Sequence, residues 1–269
     1  MQLTPKFREE YITAIESFVT HHLTESGRSR LVVGISGGLD SAVVARLCAK
    51  AVGPTKVIGM MLLDEATNPM DIEDAREWAR SLKIHFKEID ISPIVESFRT
   101  SLGLKKSDKN AIGNVKARCR MIIIYNNAAM EDGLVIGTSN KSELLCGYFT
   151  KFGDGGADFL PIGDLYKTQV RQLARSLGVP RRILEKAPTA GLWKGQTDES
   201  ELGIKYEELD RILLGIELQL EPRDIARKTG LSPAKIAKVQ QLVEKSIHKR
   251  KIPLIPKLGI RTVGLDWRE

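Results

Sequence analysis

Gly34-Ile35-Ser36-Gly37-Gly38-Leu39-Asp40-Ser41 is the stretch that decides how this chain is read. It follows the apolar run Leu31-Val32-Val33 and opens a segment of helical character over 42–52. A strand, a glycine-rich turn and a helix in that order make a cradle for an anion. Gly37 and Gly38, lacking side chains, let the turn take dihedrals that other residues avoid. Backbone N–H groups then converge on the anion at the positive end of the helix.

Two commoner glycine loops do not fit. A Walker A loop carries Lys directly before its Ser, reaching the terminal phosphates; here that place belongs to Asp40. A carboxylate facing a phosphate makes sense with Mg²⁺ between them, because hard cations take both kinds of oxygen together. Nor do Gly34, Gly37 and Gly38 have the G-x-G-x-x-G spacing of a dinucleotide fingerprint. The pattern S-G-G-x-D-S resembles instead the pyrophosphatase loop of the ATP-pyrophosphatase enzymes. That resemblance implies ATP cleavage between its α and β phosphates, with the loop holding the departing pyrophosphate.

Working outward, Thr4-Pro5 reads as an N-cap with a first-turn proline. Phe7, Tyr11, Ile12, Ile15, Phe18, Val19 and Leu23 then recur at helical spacing until Gly27. Beyond the loop the pattern alternates: strand over 56–62, helix over 70–82, strand over 85–91, helix over 93–102. Such alternation predicts an α/β fold, a doubly wound, Rossmann-like parallel sheet flanked by helices. Ligands belong beyond the carboxyl ends of its strands, where the loop lies.

Residues 102–113 have charges, two glycines and no apolar period, which predicts a mobile surface loop. A helix over 114–130 follows, with Met121-Ile122-Ile123-Ile124-Tyr125 covering every face. Such a belt predicts a helix buried all round; a homodimer interface is the alternative. After a short strand over 134–136, Asn140 reads as the N-cap of a short helix carrying Glu143. A glycine turn spans 151–158, and a helix over 169–177 is stopped by Gly178-Val179-Pro180. Residues 187–203 have turn formers and no period, the mark of a mobile lid or of disorder.

A chain of 269 residues is long enough for one large domain. The organisation expected is a core over about 25–180, the lid, a helical C-terminal region over about 205–250 and an extended tail, 251–269. No run is long and apolar enough to span a bilayer, and the N-terminus reads as an amphipathic helix rather than a signal peptide, so the expected location is cytoplasmic. Cys48, Cys119 and Cys146 are far apart and form no C-x-x-C pair, which argues against a zinc or iron–sulfur site. The net charge of +7 suits nucleic acid or phosphorylated small substrates. Basic residues mostly alternate with acids, the one dense block being His248-Lys249-Arg250-Lys251, so no nucleic-acid partner is inferred.

Taken together, the segments resemble the ammonia-dependent NAD synthetase family along nearly the whole chain. The markers are GISGGLDS (34–41), GNVKARCRM (113–121), IGTSNKSE (136–143), KFGDGGAD (151–158) and PIGDLYKTQ (161–169). APTAGL (187–192), GQTDESELG (195–203) and HKR (248–250) follow. The resemblance implies adenylation of the nicotinate carboxylate of deamido-NAD by ATP, then attack of ammonia to give NAD and AMP. It implies that residues 34–41 hold ATP phosphates with Thr138, Lys167 and Thr189, and that Asp40 and Glu143 hold Mg²⁺. It assigns Arg118, Lys151, Asp158, His248 and Lys249 to deamido-NAD, and a homodimer to the assembly.

Read without the family, Glu143 is an ordinary helix acid, Lys167 a solvated helix-start lysine and 248–251 a solvated basic patch. Arg118, on an apolar helix, calls for a fixed anionic partner. No general base is assigned, with Asp158 the one candidate. Leu39 stands where the family often has Gln, and Asp64-Glu65 puts acids on the expected adenine side. The chain offers no span for a glutaminase domain, so ammonia is the expected donor, with a separate glutaminase subunit left open. Two rivals share the loop: a tRNA-modifying adenylating enzyme, either a sulfurtransferase, whose cysteine motif this chain lacks, or a lysidine synthetase, which would not share the KFGDGGAD turn, and a non-catalytic adenine-nucleotide sensor, which would need neither Asp40 nor Glu143.

Overall fold

The computed structural model describes residues 3–263; residues 264–269 of the expected tail lie outside them. Strands β1 (Arg30–Gly34), β2 (Val57–Leu63), β3 (His85–Asp90) and β4 (Gly133–Ile136) form one all-parallel sheet in the order β3-β2-β1-β4. The helices are α1 (Glu10–Glu25), α2 (Leu39–Val52), α3 (Pro69–Leu82), α4 (Ser92–Ser101), α5 (Lys109–Met130), α6 (Lys141–Cys146) and α7 (Lys167–Ser176). They continue as α8 (Arg181–Leu184), α9 (Asp198–Leu202), α10 (Tyr206–Glu217), α11 (Pro222–Thr229), α12 (Pro233–Lys245) and α13 (Ile247–Arg250).

The near-continuous apolar strands β1 and β2 are buried on both faces, as a helix-covered parallel sheet requires. Leu31 and Val33 of β1 point into one core with Leu47, Trp78, Leu173 and Ile183, from α2, α3, α7 and α8. Val32, between them, joins Ile58, Met60, Val95 and Cys119 on the opposite face, under α4 and α5. Period-two alternation in β1 thus builds two cores at once. A third core, with Tyr206, Leu209, Ile212, Ile225, Ile236 and Val239, unites α10, α11 and α12.

From β1 the chain crosses through α2 to β2 on one side, while β4 pairs on the other. The strand order reverses there, which opens a crevice at the carboxyl ends of β1 and β4.

Several boundaries differ from the sequence reading. Helix α1 starts at Glu10, not at Thr4-Pro5. The preceding segment is pinned elsewhere: Leu3 is buried, Lys6 O accepts from Gln169 Nε2 at 2.8 Å, and Leu3 O accepts from Arg211 Nε at 3.2 Å. Helix α5 begins at Lys109, inside the expected surface loop, after a turn in which Asp108 Oδ2 accepts from Lys105 N at 2.8 Å. Nor is α5 buried all round. It packs on β1, β4 and α4, and a further face stays open, where Ile122 is 53% exposed.

Candidate active site

The loop leaving β1 runs directly into α2. Gly38 is the N-cap in an extended conformation, and no side chain closes this helix end. The first N–H groups of α2 therefore lack helical partners at the positive end of the helix. Ser36 and Ser41 brace the loop from within. Ser41 Oγ accepts from Ser36 N at 3.2 Å and donates to Gly38 O at 3.1 Å, while Ser36 Oγ accepts from Gly38 N at 3.3 Å. Every residue of 34–41 except Gly37 lines a cavity of about 630 Å³. Gly37, at φ +77°, turns its carbonyl to Lys186 Nζ, 3.1 Å away.

Across the cavity, α6 and α7 each supply one charged group. Asn140 caps α6 in a capping box: its Oδ1 accepts from Glu143 N at 3.1 Å, and its N donates to Glu143 Oε2 at 3.2 Å. The other Glu143 oxygen lies 3.4 Å from Lys167 Nζ. Lys167 opens α7, and its Nζ also donates to Asp40 Oδ2. Its side chain is only 4% exposed, so it is not the solvated lysine its position suggests. One ammonium thus sits between carboxylates from α2 and α6. Burial pushes the Glu143 carboxyl up to about 8 against the pull of Lys167, and Asp40 and Asp198 add to the rise. Burial works against the Lys167 ammonium, but Asp40 and Glu143 outweigh it and hold its pKa above the usual lysine value.

Two hard carboxylate donors already converging on one cation are chemistry that suits Mg²⁺. Three other side chains within ligand range of one another, His21, His22 and Glu25, sit on α1, and none lines the cavity.

Two lysines to which the sequence reading gave no role shape the rim. Lys186 Nζ reaches Asp71 Oδ1 and Asp74 Oδ2, each at 2.5 Å, besides Gly37 O. It stands directly before the APTAGL marker, where one lysine among many gives no cue. Lys116 is buried in α5 and donates to Leu192 O at 3.0 Å, tying the segment 187–203 over the cavity. Its Nζ also lies 3.3 Å from Asp64 Oδ2, which accepts from Arg120 Nη2 at 2.8 Å. Asp64 is therefore paired with two cations and presents no bare charge to the expected adenine side.

The segment 187–203 is not structureless, because it carries α9, capped by Thr197. It lines the cavity with Thr189, Leu192, Gln196 and Asp198 among others. Asp198 is buried, with Oδ2 accepting from Tyr206 OH at 3.1 Å and Oδ1 without a partner among the described residues. Thr138 lines the cavity beside Glu143.

The residues expected at deamido-NAD divide. Lys249 lines the cavity, donating to Gly147 O at 2.6 Å and Phe149 O at 2.7 Å. Arg118, Lys151 and His248 are linked to one another outside it: Arg118 Nη2 donates to Lys151 O at 3.2 Å, and Lys151 Nζ to His248 O at 2.9 Å. Arg118 is exposed and meets a carbonyl rather than the anion its setting called for. Asp158 is exposed and turned to the sheet edge, where Oδ2 accepts from Val135 N at 2.6 Å and its own N donates to Val135 O at 2.8 Å. It anchors the glycine turn on β4.

The family described as NAD synthase matches residues 11–253. An NH3-dependent NAD(+) synthetase of Thermococcus kodakarensis is 49% identical over 246 residues, 91% of this chain and 96% of that one. Among solved structures, an NMN synthetase from Francisella tularensis is 36% identical, covers 94% of this chain and 100% of its own, and has a TM-score of 0.83. An NH3-dependent NAD synthetase from Campylobacter jejuni is 30% identical, with 93% and 98% covered and a TM-score of 0.79. The matched span runs from α1 past α13, so it takes in the loop, both carboxylates and Lys167. The chain belongs to the NAD synthase family.

Proposed function

We propose that this chain is a ligase that converts deamido-NAD, ATP and ammonia into NAD, AMP and pyrophosphate in the cytoplasm. The observation that carries the reading is the buried Lys167 ammonium held between Asp40 and Glu143 at the mouth of an uncapped helix. That arrangement is built for a polyanion that must be neutralised and released.

In the first step a carboxylate oxygen of deamido-NAD forms a bond to the α-phosphorus of ATP, and the bond from that phosphorus to the β-phosphate bridge breaks. Residues 34–41 and the first N–H groups of α2 receive the pyrophosphate. Lys167 exchanges a carboxylate for a phosphate oxygen. No base is needed here, because the attacking carboxylate is already ionised. Asp40 and Glu143 would hold Mg²⁺, which supplies further neutralisation of phosphate charge. Unprotonated ammonia then attacks the acyl carbonyl, the bond from that carbon to the AMP oxygen breaks, and the surplus proton on nitrogen passes to solvent. The segment 187–203, tied by Lys116, keeps water from the acyl-adenylate.

We assign the exposed apolar face of α4 and α5 to a second copy of the chain. Ile94, Phe98 and Leu102 recur four residues apart at 41%, 43% and 60% exposure, and Ile122 lies on the neighbouring helix. Arg118 precedes Ile122 by one turn on the same face. Closure of a second copy there would bring deamido-NAD against Arg118, Lys151 and His248 and complete the end of the site that Lys249 begins.

The decisive assay measures NAD from deamido-NAD, ATP, Mg²⁺ and ammonium, with glutamine as the comparison donor. Because one structural relative is an NMN synthetase, the mononucleotide acid forms a second comparison arm. NAD formation that needs Mg²⁺ and ammonium supports the reading. ATP binding without AMP formation in any arm rejects it, and amidation of the mononucleotide alone moves the substrate.

A further inference from the structure

We propose that α10 is a brace that sets the separation of Glu143 and Lys167, with Asp210 and Glu217 as positioning residues; this rests on placing that pair at the phosphate end of the site. Asp210 is 0% exposed, in a helix whose neighbouring Leu209 and Ile212 are buried in an apolar core. A carboxylate in such a place is costly unless its hydrogen bonds are met. They are met by the two helix starts that carry the site. Asp210 Oδ1 accepts from Ser142 Oγ at 2.5 Å, and Oδ2 accepts from Thr168 N at 2.8 Å. Ser142 Oγ in turn accepts from Lys167 N at 3.0 Å. A chain of donors therefore runs from the Lys167 backbone through Ser142 to Asp210.

Two turns along α10, Glu217 repeats the grip. Its Oε1 accepts from Lys141 Nζ at 2.8 Å and its Oε2 from Tyr166 OH at 2.5 Å. Residues seven apart lie on one face of a helix, and here both reach the same pair of targets. Lys141 and Ser142 open α6 directly before Glu143, while Tyr166 and Thr168 flank Lys167. Glu207, on the same helix, pairs with Arg171 of α7. The negative charge of Asp210 also offsets the positive end of α7, whose Thr168 N–H it takes. None of these acids lines the cavity. Their effect on chemistry passes through where Lys167 Nζ stands relative to Asp40 and Glu143.

Asp210→Asn keeps the shape but removes the charge and replaces one acceptor oxygen with a donor: with Oδ1 kept on Thr168 N, Nδ2 can only donate to Ser142 Oγ, which reverses that bond and leaves the Ser142 hydroxyl proton without its acceptor. Pyrophosphate release by the folded variant should fall about 10- to 100-fold in kcat. KM for deamido-NAD should stay within about twofold, and the Mg²⁺ concentration for half-maximal rate should rise. Ser142→Ala cuts the same chain in a small buried side chain, and the double variant should be no slower than Asp210→Asn alone. A purely structural role would lower the melting temperature and leave kcat per folded site and the Mg²⁺ requirement unchanged. That result, in Asp210→Asn or, if that variant does not fold, in Ser142→Ala, overturns the brace. Lys167→Met separates the two claims. Full activity in Lys167→Met rejects the site assignment, whereas its inactivity beside a fully active Asp210→Asn rejects only the brace.

Discussion

Replacing Gly37 with Ala tests the geometry of the proposed phosphate loop most sharply. Gly37 sits at φ +77°, where an L side chain costs about 1–2 kcal/mol. A Cβ built there lies 2.3 Å from Asp71 O and 2.9 Å from the Asp71 carbonyl carbon and Cα. Carbon and oxygen come to rest near 3.3 Å even in their closest favourable contacts, so roughly 1 Å has to be found. Asp71 cannot simply retreat: it lies in the first turn of α3, and its carboxylate is held by Lys186. Overpacking of this kind adds about 1–3 kcal/mol. The sum, about 2–5 kcal/mol, corresponds to a melting temperature lower by roughly 5–15 °C in a domain of this size.

If the loop yields instead of α3, its N–H groups move by close to 1 Å, a misplacement that costs about 100-fold in rate. Scanning calorimetry and steady-state NAD formation measure both. Gly38→Ala is the control, since its φ is ordinary and its Cβ would meet only Ser36 Oγ, at 3.2 Å. It should lose no more than about 1 kcal/mol. Gly37→Ala with the melting temperature and kcat/KM of the parent would refute the reasoning.

Asp40→Asn removes one of the two carboxylates around Lys167 and should lower turnover at least ~100-fold with the fold retained, as checked by a Mg²⁺ titration of pyrophosphate release alongside circular dichroism. Lys116→Met leaves buried Asp64 with Arg120 alone and frees Leu192 O; urea unfolding should show a loss of about 3 kcal/mol, and limited proteolysis should cut 187–203 faster. Phe98→Glu places a charge in the apolar stripe of α4 and should leave a monomer by light scattering coupled to size exclusion, while an unchanged mass would remove that face from the assembly. Burial pushes Cys48 up to about 12, and Cys146 likewise, so at pH 8 almost none of either is thiolate. Mass spectrometry after iodoacetamide treatment should find both unlabelled until the protein is unfolded.

What was legible in the sequence was local. The loop at 34–41 is a property of consecutive residues, since the glycines set its dihedrals and Ser36 and Ser41 bond within it. Asn140 as the cap of the helix that carries Glu143 lies within four residues, and the alternation of strand and helix around them is a matter of short periods. Each depends on neighbours in the chain, so residue order alone carries it.

The charged heart of the site depends on distances that order does not encode. Lys167 and Asp40 are 127 positions apart, and nothing near either announces that a buried ammonium will join two helices. The same holds for Asp210, 68 positions from Ser142, and for Lys186, 115 from Asp71. Propensity also lost to packing at the N-terminus, where Gln169 and Arg211 hold residues that read as a helix start. The sequence by itself therefore determined the sheet, the cradle and the family to which both belong. Only the tertiary structure decided which cation faces which carboxylates, because burial and long-range pairing exist only once separate helices have packed together.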